Sequence, residues 1–155
     1  MLSLRHHAFM VTQSNPRVLL ADDDTPFRLA MSKALKRRGF RVMPLNCGRE
    51  AVAAMRGVTD DQDSTVTVLD LRMPDMDGLE DLRNTPDRRT PVIILTGHGS
   101  VPDAVEAMRL GAFTFLTKPV DAHDLIPIIM QAAQPETPSE SLIGQSMGLR
   151  MVQQV

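Results

Sequence analysis

Short apolar runs separated by amphipathic, helix-like segments constrain this chain more than any other feature. Val18-Leu19-Leu20-Ala21 leads into Asp22-Asp23-Asp24, and Val66-Thr67-Val68-Leu69 leads into Asp70. Pro91-Val92-Ile93-Ile94-Leu95 leads into Thr96, and Phe113-Thr114-Phe115-Leu116-Thr117 into Lys118-Pro119. A further run, Phe40 to Leu45, has no such ending. Strand-like and helix-like segments in strict alternation point to an α/β fold with a parallel sheet, joined by right-handed crossovers. In chain order, the first, third, fourth and fifth runs are almost continuously apolar, as strands covered on both faces should be. In such sheets the site lies at the carboxyl ends of the strands. That is where Asp22, Asp23, Asp70, Thr96 and Lys118 all fall.

The helices carry their own start and stop signals. Thr25 is expected to cap the first, with Pro26 at its first helical position. Phe27, Ala30, Met31, Ala34 and Leu35 form its expected buried stripe, and Gly39 ends it. Gly48 to Arg56 reads as a second helix with Ala51, Val52 and Met55 inward. After the loop Arg72 to Gly78, a short helix is expected near Leu79–Arg83. Ser100 to Leu110 should be the fourth, with Val101, Ala104, Val105 and Met108 on one face and Gly111 as its stop. Asp121 should cap the last, whose stripe is Leu125, Ile128, Ile129 and Ala132. Pro127 inside it should remove one backbone hydrogen bond and kink the axis.

With 155 residues the chain is one domain plus ends. Residues 1–16 read as a flexible N-terminal extension, 17–133 as the folded domain and 134–141 as a Pro/Ser/Glu-rich linker. Residues 142–155 start a new amphipathic pattern. A net charge of −2 supplies no basic field, so direct DNA binding by this segment is not expected. Neither a membrane-spanning stretch nor a signal peptide is visible. The single Cys47 fits a reducing compartment. A cytoplasmic protein is the expectation.

Three carboxylates in one cleft repel one another, and a hard divalent cation relieves that repulsion. Oxygen-only ligands favour Mg²⁺. A carboxylate is also a competent nucleophile towards phosphorus, and an ammonium and a hydroxyl stabilise the transferred group. Taken singly, each residue has an ordinary alternative: Asp22–Asp24 a solvated turn capping a helix, Asp70 a surface acid, Thr96 a turn hydroxyl, Lys118 a solvated charge. Together, at successive strand ends, they favour a phosphoryl site.

Residues 17–133 resemble the receiver domain of bacterial two-component response regulators. The likeness rests on Val18 to Asp24, on Leu69-Asp70-Leu71-Arg72-Met73-Pro74-Asp75-Met76-Asp77-Gly78, on Leu95-Thr96-Gly97-His98-Gly99 and on Phe115-Leu116-Thr117-Lys118-Pro119. The resemblance implies a flavodoxin-like (βα)5 doubly wound sheet with strand order 2-1-3-4-5. It makes Asp70 the phospho-acceptor. Asp23 would be a direct Mg²⁺ ligand, Asp22 would act largely through water, and the Arg72 carbonyl would complete the protein ligands. Lys118 would pair with Asp70 before phosphorylation and with the phosphoryl group after it. Thr96 would bond a phosphoryl oxygen, and Phe115 would be the aromatic that turns inward when Thr96 moves. Lys118-Pro119 matches the family's cis peptide. Asp24 is expected outside the metal shell, as a turn or capping acid. Arg72 and His98, flanking the acceptor, are expected to tune the lifetime of the phosphorylated state.

Ser141 to Val155 resembles the first residues of the AAA+ ATPase domain of nitrogen-regulator-class activators, which act with sigma-54. The segment from Thr96 to Gly99 and the Gly111-Ala112-Phe113 step also look like that class, including its dicarboxylate-transport regulators. The resemblance implies a sensor histidine kinase as donor, a homodimer, and DNA contact only through domains outside this chain. Pro127, Pro135 and Pro138 oppose the long dimerising helix of the dicarboxylate subgroup, and residues 79–90 look short for a third helix and its loop. The function expected is a phosphorylation switch with no separate substrate turnover. The competing readings are an aspartate-nucleophile phosphatase using Asp22 and Asp24 as a D-x-D pair, and a pseudo-receiver that only binds partners.

Overall fold

Parallel strands need crossovers, and the helices supply them. The computed structural model describes residues 15–59, 64–97 and 101–134. In chain order the elements are β1 (Arg17–Ala21), α1 (Thr25–Arg37), β2 (Arg41–Leu45), α2 (Gly48–Arg56) and β3 (Thr65–Asp70). These are followed by α3 (Gly78–Arg83), β4 (Val92–Thr96), α4 (Val101–Arg109), β5 (Thr114–Thr117) and α5 (Ala122–Ala133). All the pairings are parallel, in the order β2-β1-β3-β4-β5. The expected fold class and strand order are therefore observed. Nearly all of the N-terminal extension and of the linker, the AAA+-like tail and His98 lie outside the described residues.

Side-chain alternation along the central strands fills two cores. Leu19, Ala21, Leu69 and Ile94 face Ala51 and Met55 of α2, Leu82 of α3 and Ala107 of α4. Val18, Leu20, Val68, Ile93 and Leu95 face Met31 and Leu35 of α1 and Leu125 and Ile129 of α5. The chain runs from β1 outward to β2, then back across to β3. That reversal leaves a crevice beyond the carboxyl ends of β1 and β3, where loops separate instead of covering the sheet.

Several local expectations change. The cap of α1 is Asp24, whose side chain accepts from the Phe27 N–H at 3.1 Å, so Thr25 is already helical. An aspartate is the stronger acceptor, and it takes the first orphan donor. Of the expected α1 stripe Ala30 is exposed, while Ser32 is buried. Gly39 and Gly111 do end their helices, each with positive φ (92° and 94°), a conformation that costs glycine nothing. Helix α5 runs on through Pro127, which sits on its exposed side.

Two corrections come from the sheet edge. The expectation that β5 is buried on both faces fails: Phe115 and Thr117 are exposed, and Thr114 and Leu116 are half-buried. In α4 the buried residues are Ala104 and Ala107, whereas Val101, Val105 and Met108 are exposed. Their spacing reports a common helical face, but no further strand or helix lies beyond β5 among the described residues to cover it. With Phe115 and Thr117 this face lines a groove of about 570 Å³, which Thr96 reaches from within.

Candidate phosphoryl-acceptor site

Register places the functional side chains together. Ala21 lies beside Leu69, Asp70 beside Leu95 and Thr96 beside Thr117. Asp22 and Asp23 follow β1, Asp70 and Thr96 are the last residues of β3 and β4, and Lys118 follows β5. Asp22 is fully buried, Asp70 and Thr96 are nearly so, and Asp23 is exposed. Carboxylate oxygens from Asp22, Asp23 and Asp70 lie within 4.8 Å of one another. Such a set of hard oxygen donors, part buried and part open to solvent, suits a divalent cation that retains water.

The backbone around the cluster is tied down. The Asp22 N–H donates to the Leu45 carbonyl at 3.0 Å, and the Asp22 carbonyl accepts from Arg28 Nη1 at 2.6 Å. Asp22 Oδ1 accepts from the Asp24 N–H at 2.9 Å. The Arg72 N–H donates to Asp70 Oδ1 at 3.3 Å, which puts the Arg72 backbone at the site. Its guanidinium points outward, 3.9 Å from Asp103, and is 71% exposed. A pair so open to water contributes little. Lys118 N–H donates to the Thr96 carbonyl at 2.9 Å, joining the ends of β4 and β5, and the Lys118-Pro119 peptide is cis, as expected.

Gly78 closes the acceptor loop by donating to the Leu71 carbonyl at 2.7 Å. A Cβ there would meet the Asp70 carbonyl and Leu71 Cα, both at 3.0 Å. Backbone gives way less easily than a side-chain end, so Gly78→Ala is expected to cost about 1–2 kcal/mol. Denaturant unfolding of the two proteins checks this.

The charges are unequally shared. Lys118 Nζ is 2.7 Å from Asp22 Oδ2 but 3.8 Å from Asp70 Oδ2. The expected Lys118–Asp70 pair is thus the longer contact, and Asp22 holds the ammonium. Burial, reinforced by the Asp22 charge, pushes the Asp70 carboxyl up to about 7, against the opposing pull of Lys118 and the Arg72 N–H. Without a cation the cluster therefore favours keeping a proton on Asp70 near neutrality. Phe115, the expected switch aromatic, faces outward and is 41% exposed.

Sequence reasoning passed over two neighbours of the site. Phe27 sits in the first turn of α1 with its ring 4.5 Å from Lys118 Nζ, and Arg28 holds the Asp22 carbonyl. The helical spacing assigns Phe27 only to the core stripe. Its place one turn after Asp22-Asp23 was the available signal. Asp24 caps α1 through Oδ1 and is not one of the three clustered carboxylates.

The family profile of the response regulator receiver domain matches residues 18–130. The chain belongs to this family. Among curated relatives of this receiver, the regulatory protein AtoC of Escherichia coli is 38% identical over 120 residues, covering 76% of this chain and 25% of AtoC. The C4-dicarboxylate transport transcriptional regulatory protein DctD of Pseudomonas aeruginosa is 39% identical over 128 residues, covering 81% of this chain and 27% of DctD. FixJ of Rhizobium meliloti is 36% identical, covering 86% of this chain and 64% of FixJ. The chain thus spans about a quarter of AtoC and DctD and just under two thirds of FixJ. The crystal structure of FixJ-N superposes with a TM-score of 0.70 at 37% identity, covering 81% of this chain and 98% of that one. The likeness to dicarboxylate-transport regulators read from the sequence is met by DctD. Among the described residues no helix is long and apolar enough to cross a membrane.

Proposed function

We propose that this receiver is a cytoplasmic, Mg²⁺-dependent switch that accepts a phosphoryl group on Asp70 from a sensor histidine kinase. The observation that carries the reading is the convergence of Asp22, Asp23 and Asp70 with Lys118 and Thr96 at one end of the sheet. An Asp70 oxygen attacks the phosphorus of a phosphohistidine. The new O–P bond makes an acyl phosphate as the P–N bond breaks, and the imidazole nitrogen leaves with its electron pair. Asp22, Asp23, Asp70 and the Arg72 carbonyl would hold Mg²⁺, which when bound neutralises charge on the carboxylates and on the transferring oxygens. Lys118 is within reach of a phosphoryl oxygen on Asp70, and the Thr96 hydroxyl is the neutral donor.

Output follows from the same geometry. Thr96 belongs both to the site and to the apolar groove between α4 and β5. Drawing Thr96 towards the phosphoryl group empties space behind it, which Phe115 turns in to fill. The exposed face of Val101, Val105, Met108 and Phe115 then changes shape, biasing a homodimer through that face. By analogy with AtoC and DctD, the parent protein continues into an AAA+ domain acting with sigma-54, and touches DNA only through its output domains. Turnover of a separate substrate is not part of the function. A D-x-D phosphatase would use Asp22 as its nucleophile, whereas Asp22 is fully buried beside Lys118.

Incubation with Mg²⁺ and acetyl phosphate, followed by mapping of the modified residue, tests the proposal. One phosphoryl group on Asp70, absent in Asp70→Asn, is the expected result. Steady turnover of phosphate esters that survives Asp70→Asn would overturn it.

A further inference from the structure

Lys118 sits unevenly between two buried carboxyl groups, 2.7 Å from Asp22 and 3.8 Å from Asp70, and the proton that Asp70 tends to keep accounts for part of that lean. The ring of Phe27, in the first turn of the helix that follows Asp22, lies 4.5 Å from Nζ. The side chain of Lys118 is only 19% exposed, so water competes weakly for the ammonium. The negative face of an aromatic ring attracts a cation most strongly where water is scarce.

We infer that Phe27 is a positioning residue for Lys118, holding the ammonium over towards Asp22 so that the nucleophilic oxygen of Asp70 is left unmasked before phosphorylation. The ring itself is fixed. The Phe27 N–H is bonded to the Asp24 cap at 3.1 Å, and the side chain packs against the core shared with Met31 and Leu125. Arg28, the next residue, anchors the Asp22 carbonyl. The opening turn of α1 thus sets both partners of the ammonium, the carboxylate through Arg28 and the ring through Phe27. Asp24 contributes by capping that turn. An aliphatic side chain at position 27 would fill the same space without attracting the charge. Lys118 would then drift towards Asp70 and cover the oxygen that must attack phosphorus.

The test separates ring electronics from packing. Phenylalanine analogues carrying successive ring fluorines keep the size and shape of the ring while draining its negative face. With full-length protein, phosphorylation of Asp70 by acetyl phosphate and Mg²⁺ is expected to slow stepwise with fluorination, reaching a drop of about fivefold for Phe27→Leu. Phe27→Tyr should remain near the parent. Thermal midpoints of the fluorinated series should stay together, since packing is kept. The kinetic arm rests on the phosphoryl-acceptor reading, so a second arm is independent of it. In metal-free protein the Lys118 ε-CH2 protons should carry an upfield ring-current shift that is lost in Phe27→Leu. If the parent protein takes up no phosphoryl group but shows that shift, the acceptor reading fails and the contact stands. Equal phosphorylation rates across the fluorinated series, or an unshifted Lys118 resonance, would overturn the positioning role.

Discussion

Replacing Asp81 with asparagine is expected to stabilise the fold by on the order of 3 kcal/mol at pH 8 and to change it little at pH 4. Asp81 is fully buried in α3, and neither carboxyl oxygen has a hydrogen-bond partner. Removal from water pushes its carboxyl from 3.8 up to about 7, and the charges of Asp75, Asp77 and Glu80 add to the effect. No cation is among the groups that act on it. Between pH 4 and 7 the folded chain keeps a proton here that the unfolded chain has released. Stability therefore falls as pH rises through that window and levels off above it. Asparagine has the same shape and no proton to lose, so the variant should show a flatter profile. Urea unfolding at a series of pH values reads the difference directly. Parallel profiles for the two proteins would show that Asp81 is not the group responsible.

The second large effect is expected at Lys118. Lys118→Met leaves Asp22, fully buried, without its ammonium at 2.7 Å. Breaking a buried pair from one side costs about 3–5 kcal/mol, because the remaining charge is stranded. The metal-free variant should be destabilised by roughly that amount at neutral pH. Asp22→Asn combined with Lys118→Met should cost less than Lys118→Met alone, since no charge is then stranded. Millimolar Mg²⁺ should restore much of the stability of the single variant by binding only the folded state. Calorimetric melting of the variants with and without Mg²⁺ decides it. A double variant less stable than the single one would contradict this account of the Asp22–Lys118 pair.

Much of the site was legible because it is written in short segments. Asp70 ends β3 and Thr96 ends β4, and an apolar run followed by a polar residue announces both the strand and its end. Where parallel strands start together, their ends meet, so the chemistry at Asp22, Asp23, Asp70, Thr96 and Lys118 could be grouped before any distance was known. Asp24 shows the limit of local reasoning. Its sequence context sets it apart from Asp22 and Asp23, yet points to Thr25 for the cap that Asp24 in fact makes. Both are good cap residues, and a one-residue choice depends on where the backbone leaves the strand.

What eluded the sequence has a common cause. Val101, Val105 and Met108 follow helical spacing as faithfully as Leu125 and Ile129 do. Spacing identifies a face but not its neighbour. Helix α5 packs its stripe into the core, whereas Val101, Val105 and Met108 of α4 stay exposed. Asp81 likewise looks like any surface acid on a short polar helix. Only the packing of α3 against α2 takes it out of water.

The sequence by itself determined the order of the elements, the turns that end them and which side chains stand at the strand ends, because periodicity and capping act over a few residues. Tertiary structure alone decided that Lys118 leans on Asp22 and Phe27 rather than on Asp70, that Phe115 faces outward and that Asp81 is buried. Each of these depends on distances between segments far apart in the chain, and electrostatic and burial energies follow those distances.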